Sequence, residues 1–278
     1  MVGQDKRQSG FTLVEMVTVI VLLGIIAGIL TPFIGRAMSA YVASKARAEL
    51  VAKGRLALER LAREVRIAVP NSLSVLSGGS GIEFVRSRAG GRYVERFDNY
   101  GSEFSRTNYR FRRNANRTNL YAVGTGLSFT AGDVLVIANA SPADLQAGTP
   151  VIALNSISNT TVANDGTANG QILNFPGHQF LVESPGRHFS IADQTIEVGL
   201  AGGTLRWHTA GALTDYDSGV DWSSADPMLV DNVSAVNFAY SAGSPASASV
   251  LRIDLTLTEP ASGQSIRLYY EVQIRNTL

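Results

Sequence analysis

Glu15 stands directly ahead of an uncharged stretch, Met16–Gly35, and is the first residue whose type and place ask for a chemical reason. A carboxylate at the edge of an apolar span is costly, so it reads as a functional group by default. A second candidate is the run Asp215-Tyr216-Asp217-Ser218-Gly219-Val220-Asp221. Its alternating carboxylates are the kind a calcium loop uses, because Ca²⁺ takes several oxygens from a flexible turn. The run lacks the glycine at the sixth position and the glutamate at the twelfth that an EF-hand has, so a solvated acidic loop is the leading expectation and Ca²⁺ the lesser one. His178, His188 and His208 are ten and twenty residues apart, which is no ligand pattern within one element. No H-E-x-x-H, G-x-S-x-G or G-x-x-x-x-G-K-[ST] occurs, and the expectation is a protein that is not an enzyme and needs no cofactor.

A third candidate is a surface. Residues 86–117 carry nine arginines among Phe84, Tyr93, Phe97, Tyr100, Phe104, Tyr109 and Phe111. Basic residues interleaved with aromatics suit single-stranded nucleic acid. On a strand, however, Tyr109 and Phe111 face one way and Arg110 and Arg112 the other, as in any sheet with one wet face. A solvated face therefore comes first, a docking surface for an acidic partner subunit second, and extracellular DNA last.

The whole-chain numbers limit what these residues can belong to. With 278 residues, 45% apolar and 17% charged, the chain can bury one large core or two small ones. The absence of cysteine excludes a disulfide scaffold, a thiolate metal site and a cysteine nucleophile. The net charge of +1 hides a split: residues 1–120 hold 19 Lys/Arg against 9 Asp/Glu, and residues 121–278 hold 5 against 14.

The element that must position Glu15 is a helix. Met16–Gly35 is twenty residues without a charge, enough to cross ~30 Å of hydrocarbon. The polar leader before it carries Lys6 and Arg7, as a secretory signal would. The run is longer than the usual h-region of about 7–15 residues, and no clean A-x-A site follows. A plain signal anchor is the other reading of hydropathy alone. Gly24, Gly28 and Pro32 recur at four-residue spacing. The proline removes one helical hydrogen bond and opposes the Gly28 carbonyl, so Gly24–Pro32 is the expected weak point of the helix.

Beyond the span, residues 36–69 read as an amphipathic helix with Leu50, Gly54, Leu58, Leu61, Val65 and Ala68 on one stripe. Glu49–Lys53 and Glu59–Arg63 are expected as i,i+4 pairs on the wet side. Pro70 and Asn71 end it. Residues 71–278 read as strands: Ile82–Arg86, Arg92–Phe97, Tyr109–Arg113, Leu120–Val123, Asp133–Ala138, Thr195–Leu200 and Thr204–His208. Residues 155–174 are polar, with Asn164-Asp165-Gly166 suited to a hairpin turn. The clearest strands alternate Val236, Phe238, Tyr240, then Leu251, Ile253, Leu255, Leu257, then Ile266, Leu268, Tyr270, Val272, Ile274. The expected fold is α+β: a long helix, apolar in its first half and amphipathic in its second, packed on a β-rich domain of antiparallel strands.

The string Ser9-Gly10-Phe11-Thr12-Leu13-Val14-Glu15 resembles the class III signal of type IV prepilins and pseudopilins. The resemblance implies cleavage between Gly10 and Phe11 by prepilin peptidase, and N-methylation of Phe11. It divides the chain into a leader (1–10), a transmembrane and filament-core helix (11–35), an amphipathic half (36–70) and a pilin-like extracytoplasmic domain (71–278). A free α-amino group titrates at ~7.7–8.0. The resemblance gives Glu15 the role of neutralising that amine on a neighbouring subunit and so directing assembly. Positive-inside counting, with Arg36, Lys45, Arg47, Lys53 and Arg55 beyond the span, would place the body in the cytoplasm. The prepilin signal overrides it.

The segment Leu58–Ile67 and the run Leu229-Val230-Asp231-Asn232-Val233 with Phe238 and Tyr240 are similar to the larger minor pilins. Both the MshO-type minor pilin of the MSHA pilus and pseudopilin J of type II secretion share them, and the ending Ile274–Leu278 leans toward the MSHA type. What this implies is a minor pilin held in the bacterial inner membrane by one N-terminal span and then built into a pilus. Its partners would be other minor pilins, the major pilin and the inner-membrane assembly platform. The alternatives are a type II secretion pseudopilin and a monomeric membrane-anchored adhesin or receptor.

Overall fold

A computed structural model describes residues 12–93, 111, 113–124, 126–161, 169–243 and 248–274. The chain is an α+β, pilin-like protein, with one long N-terminal helix followed by a β-rich domain of antiparallel sheets. Helix α1 (Leu13–Arg66) runs for 54 residues, ~81 Å at 1.5 Å per residue. It stops before the expected Val69 because the chain finds other partners. Ala68 bridges Arg86, and the Val69 amide donates to the Val85 carbonyl at 2.8 Å.

The expected stripe is the buried one. Leu50, Gly54, Leu58, Leu61 and Val65 are buried with Ala57 and Ala62, and Ala68 is buried just past the helix end. At Gly54 the helix comes so close to the domain that a Cβ would collide with the Leu268 side chain. The surface pairs differ from expectation. Glu49 faces Lys45 at 3.8 Å, Lys53 instead reaches Asp231 at 3.0 Å, and Glu59 and Arg63 form no ion pair among the described residues. Exposed pairs of this kind are worth little, so their rearrangement costs the fold nothing of consequence.

The described part of the domain has thirteen strands: β1 (Ser74–Leu76), β2 (Gly81–Tyr93), β3 (Asn116–Val123), β4 (Val134–Ile137), β5 (Val151–Ala153), β6 (Ser156–Thr161), β7 (Asn169–Gln179), β8 (His188–Ala201), β9 (Thr204–Gly211), β10 (Met228–Val230), β11 (Val233–Ser241), β12 (Ser249–Thr258) and β13 (Ser265–Ile274). A short helix α2 (Pro142–Gln146) follows β4, with Ser141 as its N-cap. The larger sheet has the order β10-β9-β8-β2-β3-β7-β6, with β1 on β2 and with β4 bridging β8 and β5. The smaller is the meander β11-β12-β13.

Strand β12 shows why the smaller sheet forms. Leu251, Ile253, Leu255 and Leu257 are fully buried on one face. On the other face Arg252 donates to Glu271 at 2.9 Å, and Arg267 forks onto Asp254. A period-two pattern buries one face and wets the other. The buried face meets the second half of α1, and the same core takes in Ile82, Phe84, Ile196, Val198, Leu205 and Trp207 from the larger sheet. Arg60 on the helix lies over the Trp207 ring, 4.9 Å from its centre.

Strands β2 and β8 serve a second core as well. Their pairing shifts register between Arg86 and Ala89, and such bulges bend a strand. Past the bend, Tyr93, Phe189 and Ile191 pack with Phe111, Leu120, Leu135, Leu173, Phe175 and Phe180.

Several expectations need correction. Residues 155–174, read as polar with a hairpin turn but given no strands, supply β6 and the start of β7, paired antiparallel from Ser156↔Asn174 to Thr161↔Asn169. The flanks of Asn164-Asp165-Gly166 therefore form a hairpin, while that turn itself lies outside the described residues. The strand expected over Tyr109–Arg113 is not found at its described positions. Phe111 lies in coil, buried against Tyr93 at a ring separation of 4.6 Å, and Arg113 is in a turn ahead of Asn114, whose φ is +59°. The strand Arg92–Phe97 is the end of β2 at Arg92 and Tyr93, and its remainder lies outside the described residues.

Candidate functional site

The first half of α1 carries the chemistry that the sequence points to. Thr12 is the N-cap, with extended backbone, and its hydroxyl accepts from the Glu15 amide at 3.3 Å. This is the forward half of a capping box, the Thr-x-x-Glu pattern in which the cap side chain satisfies an otherwise unpaired N–H. The Glu15 carboxylate does not complete the box. It is exposed and makes no hydrogen bond or ion pair among the described residues. Thr12-x-x-Glu15 is a cap signature legible in the sequence, and the sequence reading missed it.

From Thr12 to Val42 every residue is exposed, including Leu13, Val17, Ile20, Leu23, Ile26, Leu30 and Phe33. Nothing in the domain covers this half, and it is the one helix among the described residues long and apolar enough to cross a membrane. Pro32 sits inside it, yet the helix runs unbroken through Gly24, Gly28 and Pro32. The Thr31 hydroxyl donates to the Ala27 carbonyl at 2.7 Å, a local bond of the kind that bends helices. A Cβ at Gly24, Gly28 or Gly35 would meet nothing. The protein's own packing therefore gives no reason for these glycines.

Gly10 and Phe11 lie outside the described residues. The comparison with known families falls on the same segment. Residues 5–31 match the prokaryotic N-terminal methylation motif. The match takes in Gly10, Phe11 and Glu15 and stops one residue before Pro32. It supports a precursor of the type IV pilin or pseudopilin kind, with prepilin-peptidase processing and anchoring in a membrane. No curated protein and no solved structure matches the chain.

In the domain, the residues of the acidic run Asp215–Asp221 make local contacts. Asp217 accepts from the Gly219 amide at 2.6 Å, and the Asp221 amide donates to Glu197 at 2.9 Å. Asp215 occupies a left-handed turn position with φ +56°. Among the described residues no three His, Asp or Glu side chains are gathered as a metal ion requires. Of the arginine-rich stretch, Arg86 pairs with Asp193 and Arg88 with the buried Asp133. Phe97, Tyr100, Phe104, Tyr109, Arg96, Arg106, Arg110 and Arg112 lie outside the described residues. The two arginines described as paired are spent inside the fold.

One cluster escaped the sequence reading. Ser74, Glu83, Glu197 and His208 stand in register across β1, β2, β8 and β9. Residues 212–227 pass over this row as a strap. Its Trp222 ring occupies the space above Gly81 and Gly199, where a Cβ on either glycine would fall inside the indole. The expected result for Gly199→Ala is a loss of roughly 1–3 kcal/mol, the usual cost of overpacking. Thermal unfolding measures it, and Trp222→Ala in the same chain should relieve most of the added strain. A neutral Gly199→Ala would mean that the indole is not seated there.

Proposed function

We propose that this chain is a minor pilin, made as a prepilin and built into a type IV pilus of the MSHA kind. Prepilin peptidase cuts between Gly10 and Phe11, Phe11 is N-methylated, and the span stores the subunit in the inner membrane with residues 71–278 outside the cytoplasm. The subunit then joins other minor pilins and the major pilin through the assembly platform, acting in assembly or initiation and in surface attachment. It has no turnover of its own and uses no cofactor.

The observation that carries the reading is the bare first half of α1. About thirty exposed, mainly apolar helical residues carry one unpaired carboxylate near their start, directly within a methylation motif. Apolar surface of this extent needs a membrane or neighbouring helices, and a carboxylate in such surroundings needs a cation. The α-amine of a neighbouring subunit supplies one.

Mass spectrometry of the N-terminal peptide, in sheared surface filaments and in membranes, tests the proposal. The expected result is an N-methylated peptide beginning at Phe11 in the filaments. The same peptide in membranes alone would instead favour a secretion pseudopilin, and an intact Met1 start in both would leave a monomeric anchored adhesin or receptor. Gly10→Glu should abolish the processed form, since a bulky charged side chain replaces the glycine at the cleavage position.

A further inference from the structure

The row Ser74–Glu83–Glu197–His208 holds two carboxylates, and the one titratable base in the row, His208, is engaged by Asp226. Glu83 and Glu197 are direct cross-strand partners, each 0% exposed. Cross-strand partners share a face with Cβ atoms only ~4.5–5.5 Å apart. Glu83 Oε2 accepts from the Ser74 hydroxyl at 3.2 Å, and Glu197 Oε2 accepts from the Asp221 amide at 2.9 Å. The second oxygen of each, Oε1, is buried with no hydrogen-bond partner. Burying an ionised carboxylate without compensation is expensive, and two in one place repel, so the group neutralises instead.

The strap over them is tied to the sheet by discrete contacts along its length. The Tyr216 hydroxyl donates to the Ser72 carbonyl at 2.6 Å, and Gln146 donates to the Ser218 hydroxyl at 2.7 Å. Asp226 accepts from His208 Nδ1 at 2.9 Å, and its carbonyl accepts from Arg206 at 2.9 Å. Trp222 lies over the two glycines with its Nε1 donating to the Leu200 carbonyl at 3.4 Å, the Trp207 amide donates to the Pro227 carbonyl at 2.9 Å, the Asp221 amide donates to Glu197, and Tyr216, Ala212 and Leu213 pack with Val69, Val85 and Val136.

We propose that the Glu83–Glu197 pair is a proton-operated latch: the 212–227 strap is held against the sheet while the pair carries protons and lifts as the pair ionises. The groups facing the pair favour this direction. From the strap come Asp217 and Asp221, both acidic, and the buried Tyr216. From β1 comes the neutral Ser74, and from β9 comes His208, already engaged by Asp226. Arg206, two residues from His208 on β9, is turned to the Asp226 carbonyl.

The titration agrees with the geometry. Burial pushes both glutamates from an ordinary 4.5 up to about 7, outweighing the Ser74 hydroxyl and the strap's backbone amides, which favour the ionised forms. Burial works to lower the His208 imidazole, and the Asp226 carboxylate outweighs it, leaving His208 raised. For the two glutamates, whose pKa is raised in the closed form, the stabilisation is complete below about 4.5. It is lost as pH rises to about 7, and it changes little above that. His208 has the same sign, because it too gives up a proton as pH rises.

Hydrogen exchange of the full chain in detergent, with a chelator present and with rates corrected for intrinsic exchange, tests this between pH 5 and 8. Each pKa unit corresponds to a tenfold change. Protection of 212–227 should therefore fall at least about tenfold, while that of β12 stays constant. E83Q/E197Q, whose pair is neutral at every pH, should keep only the smaller fall that the His208–Asp226 tie contributes. An equal wild-type protection at both ends of the range would overturn the proposal, as would an undiminished fall in E83Q/E197Q. If the double variant loses β12 protection as well, infrared spectra of the wild-type chain decide. A band from protonated buried carboxyl groups that disappears between pH 5 and 8 supports the latch, and its absence at pH 5 sinks it.

Discussion

Glu15→Ala should leave the chain cleaved and membrane-held but absent from filaments. The helix start does not depend on the carboxylate: the Thr12 hydroxyl caps the Glu15 backbone amide, which alanine retains. Insertion does not depend on it either, because the uncharged run begins at Met16. What the substitution removes is the only side-chain charge between Thr12 and Gly35, exposed and unpaired within the single chain. Once packed among apolar helices, the α-amine of the next subunit would lose its partner. Breaking a buried ion pair from one side costs about 3–5 kcal/mol, a factor of hundreds to thousands in incorporation. Immunoblots of sheared filaments and of membranes read the two populations separately. Glu15→Asp, which keeps the charge on a shorter arm, should fall between. Wild-type levels of the alanine variant in filaments would remove the assembly role from Glu15 and favour the monomeric receptor.

Leu61→Ala and Leu56→Ala should differ sharply although they delete the same atoms from the same helix. Leu61 is 0% exposed in the core shared by α1 and both sheets, whereas Leu56 is 71% exposed. A buried leucine truncated to alanine loses transfer free energy and leaves a cavity, together about 2–5 kcal/mol. The exposed site should stay within about 0.5 kcal/mol. Urea unfolding of the domain signal in detergent measures both. Equal effects would mean that α1 is not docked on the domain. A pulling force on the helix could then not be carried to the body, which the filament reading requires.

The helix is the most legible element because its signals are local. An uncharged run of twenty residues, the stripe Leu50–Gly54–Leu58–Leu61–Val65 and the proline at 70 all act within a few turns of one another. Strands β11, β12 and β13 are legible for the same reason: alternation of period two survives over all of β12 and β13 and, past the bulge at Val233–Ala235, over the rest of β11. Strand β6 is illegible because a serine-, asparagine- and threonine-rich edge needs no apolar face to pair. The backbone ladder to β7, whose Leu173 and Phe175 are buried in the second core, supplies what its side chains do not.

The sequence by itself therefore determined the membrane-type helix, the place of Glu15 in its first turn, the methylation motif and the meander that receives the helix. Only the tertiary structure decided the surroundings of Glu83 and Glu197. As letters they are ordinary polar residues of two strands far apart in the chain, each next to apolar neighbours. The antiparallel register of β2 on β8 sets them side by side, and the strap closes over them. Gly199 is one letter inside the strand read over Thr195–Leu200, and only the Trp222 ring above it and Gly81 gives either glycine a reason. Local periodicity reports which face of an element is apolar. What lies against the other face depends on long-range pairing, and it is that pairing which takes two carboxylates out of water.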